Sequence, residues 1–193
     1  PYLRRDHDRF GIEILKKNFS VKVLDCTAWI NRDFWQSYSQ NVYKSEEHVI
    51  ISSKEDFLKF NSNINDAIVI DNLPNSRKAN WVRKFFKKKK SLLVVVISDL
   101  IPSHKLNIKL ILKRIFSLVL KPGKLIYKTY DWLQLRYYRA IRPVPDVSFL
   151  GGLAASNVFK SKIKINAHSM DYDIYLKIKN KKTKNNSYAV FLD

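Results

Sequence analysis

Leu92-Leu93-Val94-Val95-Val96-Ile97 is the most apolar run in the chain, six residues of which four are β-branched. Its length decides its reading. A transmembrane helix takes roughly 20 apolar residues and a buried helix more than about ten, whereas a strand covered on both faces needs only roughly four to eight in an unbroken run. With the basic Lys87 to Lys90 shortly before it and Ser98-Asp99 after it, the run predicts a buried strand of a parallel sheet.

Working outward, the same kind of short β-branched segment recurs at Val21 to Leu24, His48 to Ile51, Ala67 to Ile70, Val147 to Leu150, Lys162 to Ile165 and Ala189 to Leu192. The intervals leave room for helices. Leu3, Phe10 and Ile14 form one stripe of a first helix, with Gly11 permitting close approach, and Pro74 can open a helix through Trp81 and Phe85. That helix ends in Lys87 to Lys90, where cations favour a helix C-terminus. Asp171 is placed to open a short helix through Ile174 and Leu176. Strands alternating with helices predict an α/β fold, a Rossmann-like, mostly parallel sheet flanked by helices.

Between Pro102 and Pro143 the alternation stops for long enough to hold two helices, parted at Pro122-Gly123. The second carries Ile126, Tyr130, Leu133, Tyr137 and Ile141 on a seam that packs on the sheet or meets a membrane interface. The expected organisation is a domain over residues 1–178 with a basic helical insertion over about 103–142, a polar linker at 179–186, and a final strand or the start of a second domain at 187–193. With a chain opening on Pro1 and closing directly after a strand-like segment, the expectation is a piece of something longer.

The formal net charge is +19, and residues 77–142 carry +16 of it: eighteen Lys or Arg against Asp99 and Asp131. So uneven a field attracts nucleic acid, an anionic lipid surface or a phosphorylated substrate. At 46% hydrophobic the chain is too apolar for a basic disordered tail, and four glycines include no phosphate loop of the GxGxxG or GxxxxGK[ST] kind. The single cysteine, Cys26, excludes an intrachain disulfide framework and suits a buried, inert thiol. Basic helices with interleaved aromatics suit a membrane surface, which assigns Lys109, Lys113, Arg114, Lys124, Lys128, Trp132, Arg136 and Arg139 to that contact.

In an open parallel sheet, ligands bind beyond the C-terminal ends of the strands. That selects the loops Asp25 to Trp35, Asp71 to Asn75, Ser98 to His104, Gly151 to Ala155 and Asn166 to Asp173, with Tyr2 to Asp8 beside them. Gly151 and Gly152 let backbone approach a phosphate or simply make a tight turn. His168 with Asp171 is either an acid/base pair or a capped helix start, and Ser169 lies between them. Arg4, Arg5 and His7 either hold a phosphate or pair with Asp6 and Asp8 on a solvated first turn. No nucleophile motif is visible, and no metal ligands are assigned.

The stretch Arg4-Arg5-Asp6-His7-Asp8-Arg9-Phe10-Gly11-Ile12-Glu13-Ile14-Leu15, running into Val21-Lys22-Val23-Leu24-Asp25, resembles the opening of a family of bacterial surface-polysaccharide biosynthesis proteins from O-antigen and capsule clusters. Ile165-Asn166-Ala167-His168-Ser169-Met170-Asp171-Tyr172-Asp173-Ile174-Tyr175-Leu176 and Ala189-Val190-Phe191-Leu192-Asp193 resemble it as well, while the basic middle is unmatched. The resemblance implies the N-terminal, acceptor-side half of a glycosyltransferase with two Rossmann-like domains (GT-B-like). Its partners would be a nucleotide-sugar donor, used as substrate with no resident cofactor, a lipid-linked or polysaccharide acceptor, and the anionic inner face of the cytoplasmic membrane. On that reading His168, Asp171 and His7 are the candidate catalytic groups and Arg4, Arg5, Gly151, Gly152 and Ser169 the candidate substrate contacts. The alternatives are a non-catalytic nucleic-acid-binding module, disfavoured because the aromatics fall on helical seams instead of a sheet platform, and a polyol-phosphate transferase.

Overall fold

A computed structural model describes residues 1–97, 122–151 and 160–167. The described strands are β1 (Val23–Asp25), β2 (His48–Ile50), β3 (Ile68–Ile70), β4 (Leu92–Ile97), β5 (Val147–Gly151) and β6 (Ile163–Ala167). They form an all-parallel pair, β1-β2, and an all-parallel four-stranded sheet, β3-β4-β5-β6. The α/β architecture with parallel strands and flanking helices is as expected. The register sets Val94 against Ile70 on one side and Val147 on the other.

β4 is the buried strand its composition predicts, with Leu93, Val94 and Val95 in the core. β3 and β6 are more exposed than their β-branched composition suggests, because each stands at an edge of its sheet. The predicted strand Ala189 to Leu192 and the Asp171 helix lie outside the described residues.

The first helix is two helices. α1 (Arg4–Arg9) ends before Gly11, which adopts φ +59°, and α2 (Ile12–Leu15) starts afresh in a new direction. The left-handed residue breaks the single stripe expected for Leu3, Phe10 and Ile14, so Ile14 stands exposed while His7 and Ile12 are buried. The Asp25 to Trp35 loop contains α3 (Thr27–Ile30) and most of α4 (Arg32–Tyr38), the latter capped by Asn31.

α5 (Lys54–Asn61) and α6 (Arg77–Lys88) start on serine caps: Ser53 Oγ accepts from the Asp56 amide and Ser76 Oγ from the Ala79 amide. Ser76 therefore opens α6, and Pro74 lies in the approach to it. Lys87 and Lys88 occupy the last turn of α6 as the helix dipole favours, and Lys87 pairs with Asp146. The core gathers Cys26, Ile51, Phe57, Val82 and Phe86, joining the β1-β2 pair to α5 and α6.

α7 (Pro122–Ala140) is the second helix predicted in the basic insertion, and the first, Leu106 to Leu120, lies outside the described residues. Most of the described seam does not pack on the sheet. Tyr130, Leu133 and Tyr137 are all more than half exposed, as are Trp132 and Leu135, whereas Asp131, Gln134, Tyr138 and Ile141 are partly covered. Asn80 of α6 donates to the Tyr138 carbonyl and selects that inner face. Among the described residues no helix is long and apolar enough to cross a membrane.

Candidate functional site

The described strands form two separate sheets, β1 with β2, and β3 leading into β4, β5 and β6. β1 and β3 are not hydrogen-bonded to each other, and a cavity of about 820 Å³ follows the gap, lined by residues 20–27 on one side and 66–73 on the other. Phe57, Val82 and Phe86 contribute apolar surface to it, and the strand ends contribute Asp25 and Asp71.

Asp25 closes β1. Its Oδ2 accepts the Tyr2 amide at 2.8 Å and its Oδ1 the Thr27 amide at 2.9 Å, while His48 Nε2 stands 3.6 Å from Oδ2. Burial works against its ionisation, but the neighbouring His48 ring and the hydrogen bonds from Thr27 and Tyr2 outweigh that and hold the carboxyl well below the usual carboxylate range. With each oxygen taken by an amide, Asp25 positions the N-terminal segment against the cleft. Cys26, next in sequence, is a buried free thiol pushed up to about 12 by burial and by the neighbouring Asp25 charge, as its inert role requires.

Asp71 closes β3 and is gripped by two guanidiniums. Arg83 Nε lies 2.7 Å from Oδ2 and its Nη2 3.2 Å from Oδ1, and Arg142 Nη2 lies 2.7 Å from Oδ2. Arg83 also bonds Asn80 Oδ1 and the Leu73 carbonyl. Two cations on one carboxylate leave a surplus positive charge beside the cleft, and Arg142 Nε is buried without an acceptor. Burial lowers the affinity of Arg142 for its proton, Asp71 opposes this, and Arg83 reinforces it. Arg142 lies two residues beyond the end of α7, so the exposed aromatic helix is tied to Asp71 beside the cleft.

The N-terminal segment brings the predicted His7 close by, but Tyr2 lines the cleft and His7 is buried behind it. The Tyr2 hydroxyl bonds His7 Nδ1 at 2.7 Å and is pushed up to about 12 by burial and by the Glu47 charge. One ligand atom from each of His7, Glu13 and Glu47 lies within 4.8 Å of the others, making them the described residues able to hold a metal ion. Arg4 pairs with Asp8 and stacks on Tyr43, and Arg5 pairs with Asp6, so both engage neighbouring carboxylates on the first turn.

Gly151 ends β5 opposite Ala167, the last residue of β6. Gly152, His168, Ser169 and Asp171 lie outside the described residues, as do Lys109, Lys113 and Arg114. Lys124 and Lys128 are on α7, and their side chains are likewise outside the description. Trp132 is exposed with the Arg136 guanidinium 5.1 Å above its ring, and Arg139 is exposed on the same helix.

Sequence reasoning missed Asp71, Arg83 and Arg142. The signal for Arg83 is its place on the buried stripe Ala79, Val82, Arg83, Phe86 of α6, where a cation needs a buried partner. The signal for Asp25 and Asp71 is an aspartate ending each β-branched run. No family model, curated protein or solved structure matches the chain.

Proposed function

We propose that this chain is the acceptor-side, Rossmann-like domain of a glycosyltransferase of bacterial surface-polysaccharide synthesis. It works at the inner face of the cytoplasmic membrane, moving a sugar from a nucleotide-sugar to a lipid-linked or polysaccharide acceptor. The observation that carries the reading is the link between two features: a cleft of about 820 Å³ lined by β1 and β3, and Arg142, which joins the cleft-lining Asp71 to the end of α7. An enzyme whose acceptor sits in a lipid layer needs its cleft held near that layer. A helix exposing Tyr130, Trp132, Leu133, Leu135 and Tyr137 together with Arg136 and Arg139 has the aromatic and cationic character that an anionic interface favours.

Chemically, transfer needs a base at the acceptor hydroxyl and positive groups for the departing phosphate. The surplus charge of the Arg83, Arg142 and Asp71 cluster suits an anionic group in the cleft, and His168 with Asp171 remain the positions proposed for the base. Cosedimentation with vesicles of phosphatidylglycerol, against phosphatidylcholine vesicles and a mixed oligonucleotide pool at the same salt, tests the location. Binding to the anionic vesicles that falls when Trp132, Leu133 and Leu135 are changed to alanine is expected. Salt-sensitive oligonucleotide binding without vesicle binding overturns the reading in favour of a nucleic-acid module. Sugar transfer assayed with a nucleotide-sugar panel, against transfer of a polyol phosphate, separates the two enzymatic readings.

A further inference from the structure

The imidazole of His7 stands between two carboxylates that arrive from different parts of the chain. Its Nε2 is 3.2 Å from Glu13 Oε1 and its Nδ1 3.4 Å from Glu47 Oε1. One ligand atom of each residue lies within 4.8 Å of the others, and a first-row divalent ion bonded at about 2.0–2.2 Å holds neighbouring ligand atoms about 3 Å apart, so Glu47 must swing from the Nδ1 side toward Nε2 for all three to meet one ion.

Burial separates this cluster from an ordinary group of surface acids. The His7 and Glu47 side chains are 3% and 4% exposed, so the protein positions them before any ion arrives. Glu47 Oε1 is buried with no hydrogen-bond donor, a state that is costly for a carboxylate oxygen unless a cation reaches it. The Tyr2 hydroxyl on Nδ1 fixes the ring, and in the tautomer that donates Nδ1–H to the Tyr2 oxygen it leaves the Nε2 lone pair to coordinate, as an outer-shell partner does for a metal-bound imidazole. Glu13 is largely exposed, which leaves one side open for water to complete the coordination.

Lys16 holds the counter-charge. Its Nζ is 3.5 Å from Glu13 Oε1 and 3.3 Å from Glu47 Oε2, and hydrogen bonding to Glu47 raises its affinity for the proton. Two carboxylates and one ammonium sum to −1, whereas two carboxylates and a divalent ion sum to zero. Lys16 is partly exposed and can turn its ammonium into water, so it and a metal ion compete for the same two carboxylates, with Glu13 Oε1 common to both.

We propose that His7, Glu13 and Glu47 form a binding site for a divalent first-row transition ion of the Mn²⁺ to Zn²⁺ series, with Lys16 as the competing cation. One nitrogen and two carboxylates favour that series over the all-oxygen preferences of Mg²⁺ and Ca²⁺. The ion would pin α1, α2 and the segment entering β2 to one another beside the cleft.

Isothermal titration of the full 193-residue chain with ZnCl₂ and with MnCl₂, alongside thermal melts, tests this. One ion per chain and a raised Tm are expected. E13Q changes an exposed side chain and keeps the fold, and it should weaken binding by at least about tenfold, the loss typical even of outer-shell changes. K16M should bind more tightly than the wild type. No binding by the wild type, an unchanged Kd in E13Q, or weaker binding in K16M overturns the proposal.

Discussion

Arg142 Nη2 meets Asp71 Oδ2 at 2.7 Å across 71 residues of chain, on a carboxylate that Arg83 already holds from the opposite element. The pair anchors the end of α7 to the end of β3. The two arginines are nevertheless unequal. Arg83 is fully buried and makes every contact inside the protein, while Arg142 keeps part of its side chain in solvent.

Removing Arg83 as Arg83→Met strips Asp71 of its bidentate partner and should cost about 3–5 kcal/mol, the range for breaking a buried pair. Arg142→Met leaves that bidentate contact in place and should cost about 1–3 kcal/mol. Urea denaturation of both variants measures the difference. Equal losses would mean that the two guanidiniums share the carboxylate evenly.

Asp25 should make the fold acid-sensitive. Its folded-state pKa is depressed, and an unfolded aspartate titrates near 3.9, so the unfolded chain takes up the proton first. The contribution is complete at neutral pH, begins to fall as pH drops through about 4, and continues to fall toward the folded-state pKa. Urea midpoints from pH 6 to pH 3 should drop less steeply in Asp25→Asn than in the wild type. Parallel slopes would assign the acid sensitivity to other carboxylates.

Phe57 is the hub of the aromatic core. It is fully buried, with the rings of Trp29, Trp81, Phe85 and Phe86 centred 5.1 to 6.2 Å away. Phe57→Ala should cost about 3–5 kcal/mol in chemical denaturation. Phe60→Ala, on the exposed side of the same helix, should stay within about 0.5 kcal/mol of the wild type.

Gly11→Ala isolates a backbone effect. A Cβ there meets only Ile14, its Cδ1 at 3.7 Å and its Cβ at 3.9 Å, both ordinary contacts, so the penalty comes from φ +59° alone. The expected loss is about 1–2 kcal/mol, and Gly11→Asn should lose less, since asparagine tolerates the left-handed region. A Tm equal to the wild type in Gly11→Ala would show that the α1 to α2 break can close.

Six of the seven predicted strands reappear within two residues at each end, because β-branched runs carry their own signal in length and composition. α3 and α4 did not announce themselves: they are short, and their polar and aromatic residues keep no clean helical period. Which face of α7 turns inward is left open by its pattern for a physical reason. Its most apolar seam points outward, and the contact that orients the helix is the hydrogen bond from Asn80 to the Tyr138 carbonyl, which hydropathy does not register. The strand-end rule selects the loops that start at Asp25 and Asp71, but the partners of these two aspartates are not legible in the sequence. Asp25 joins Tyr2 from 23 residues away and Asp71 joins Arg142 from 71, and the folded topology alone brings such partners together.

The missing ladder between β1 and β3 bears on how the cleft recognises what enters it. Consecutive residues along both strands line it, so strand-edge peptide N–H and C=O groups stand in a wall that is otherwise mostly apolar. Side-chain replacement leaves those groups in place, so variation along the walls alters their shape and apolar surface more than their main-chain hydrogen-bonding capacity.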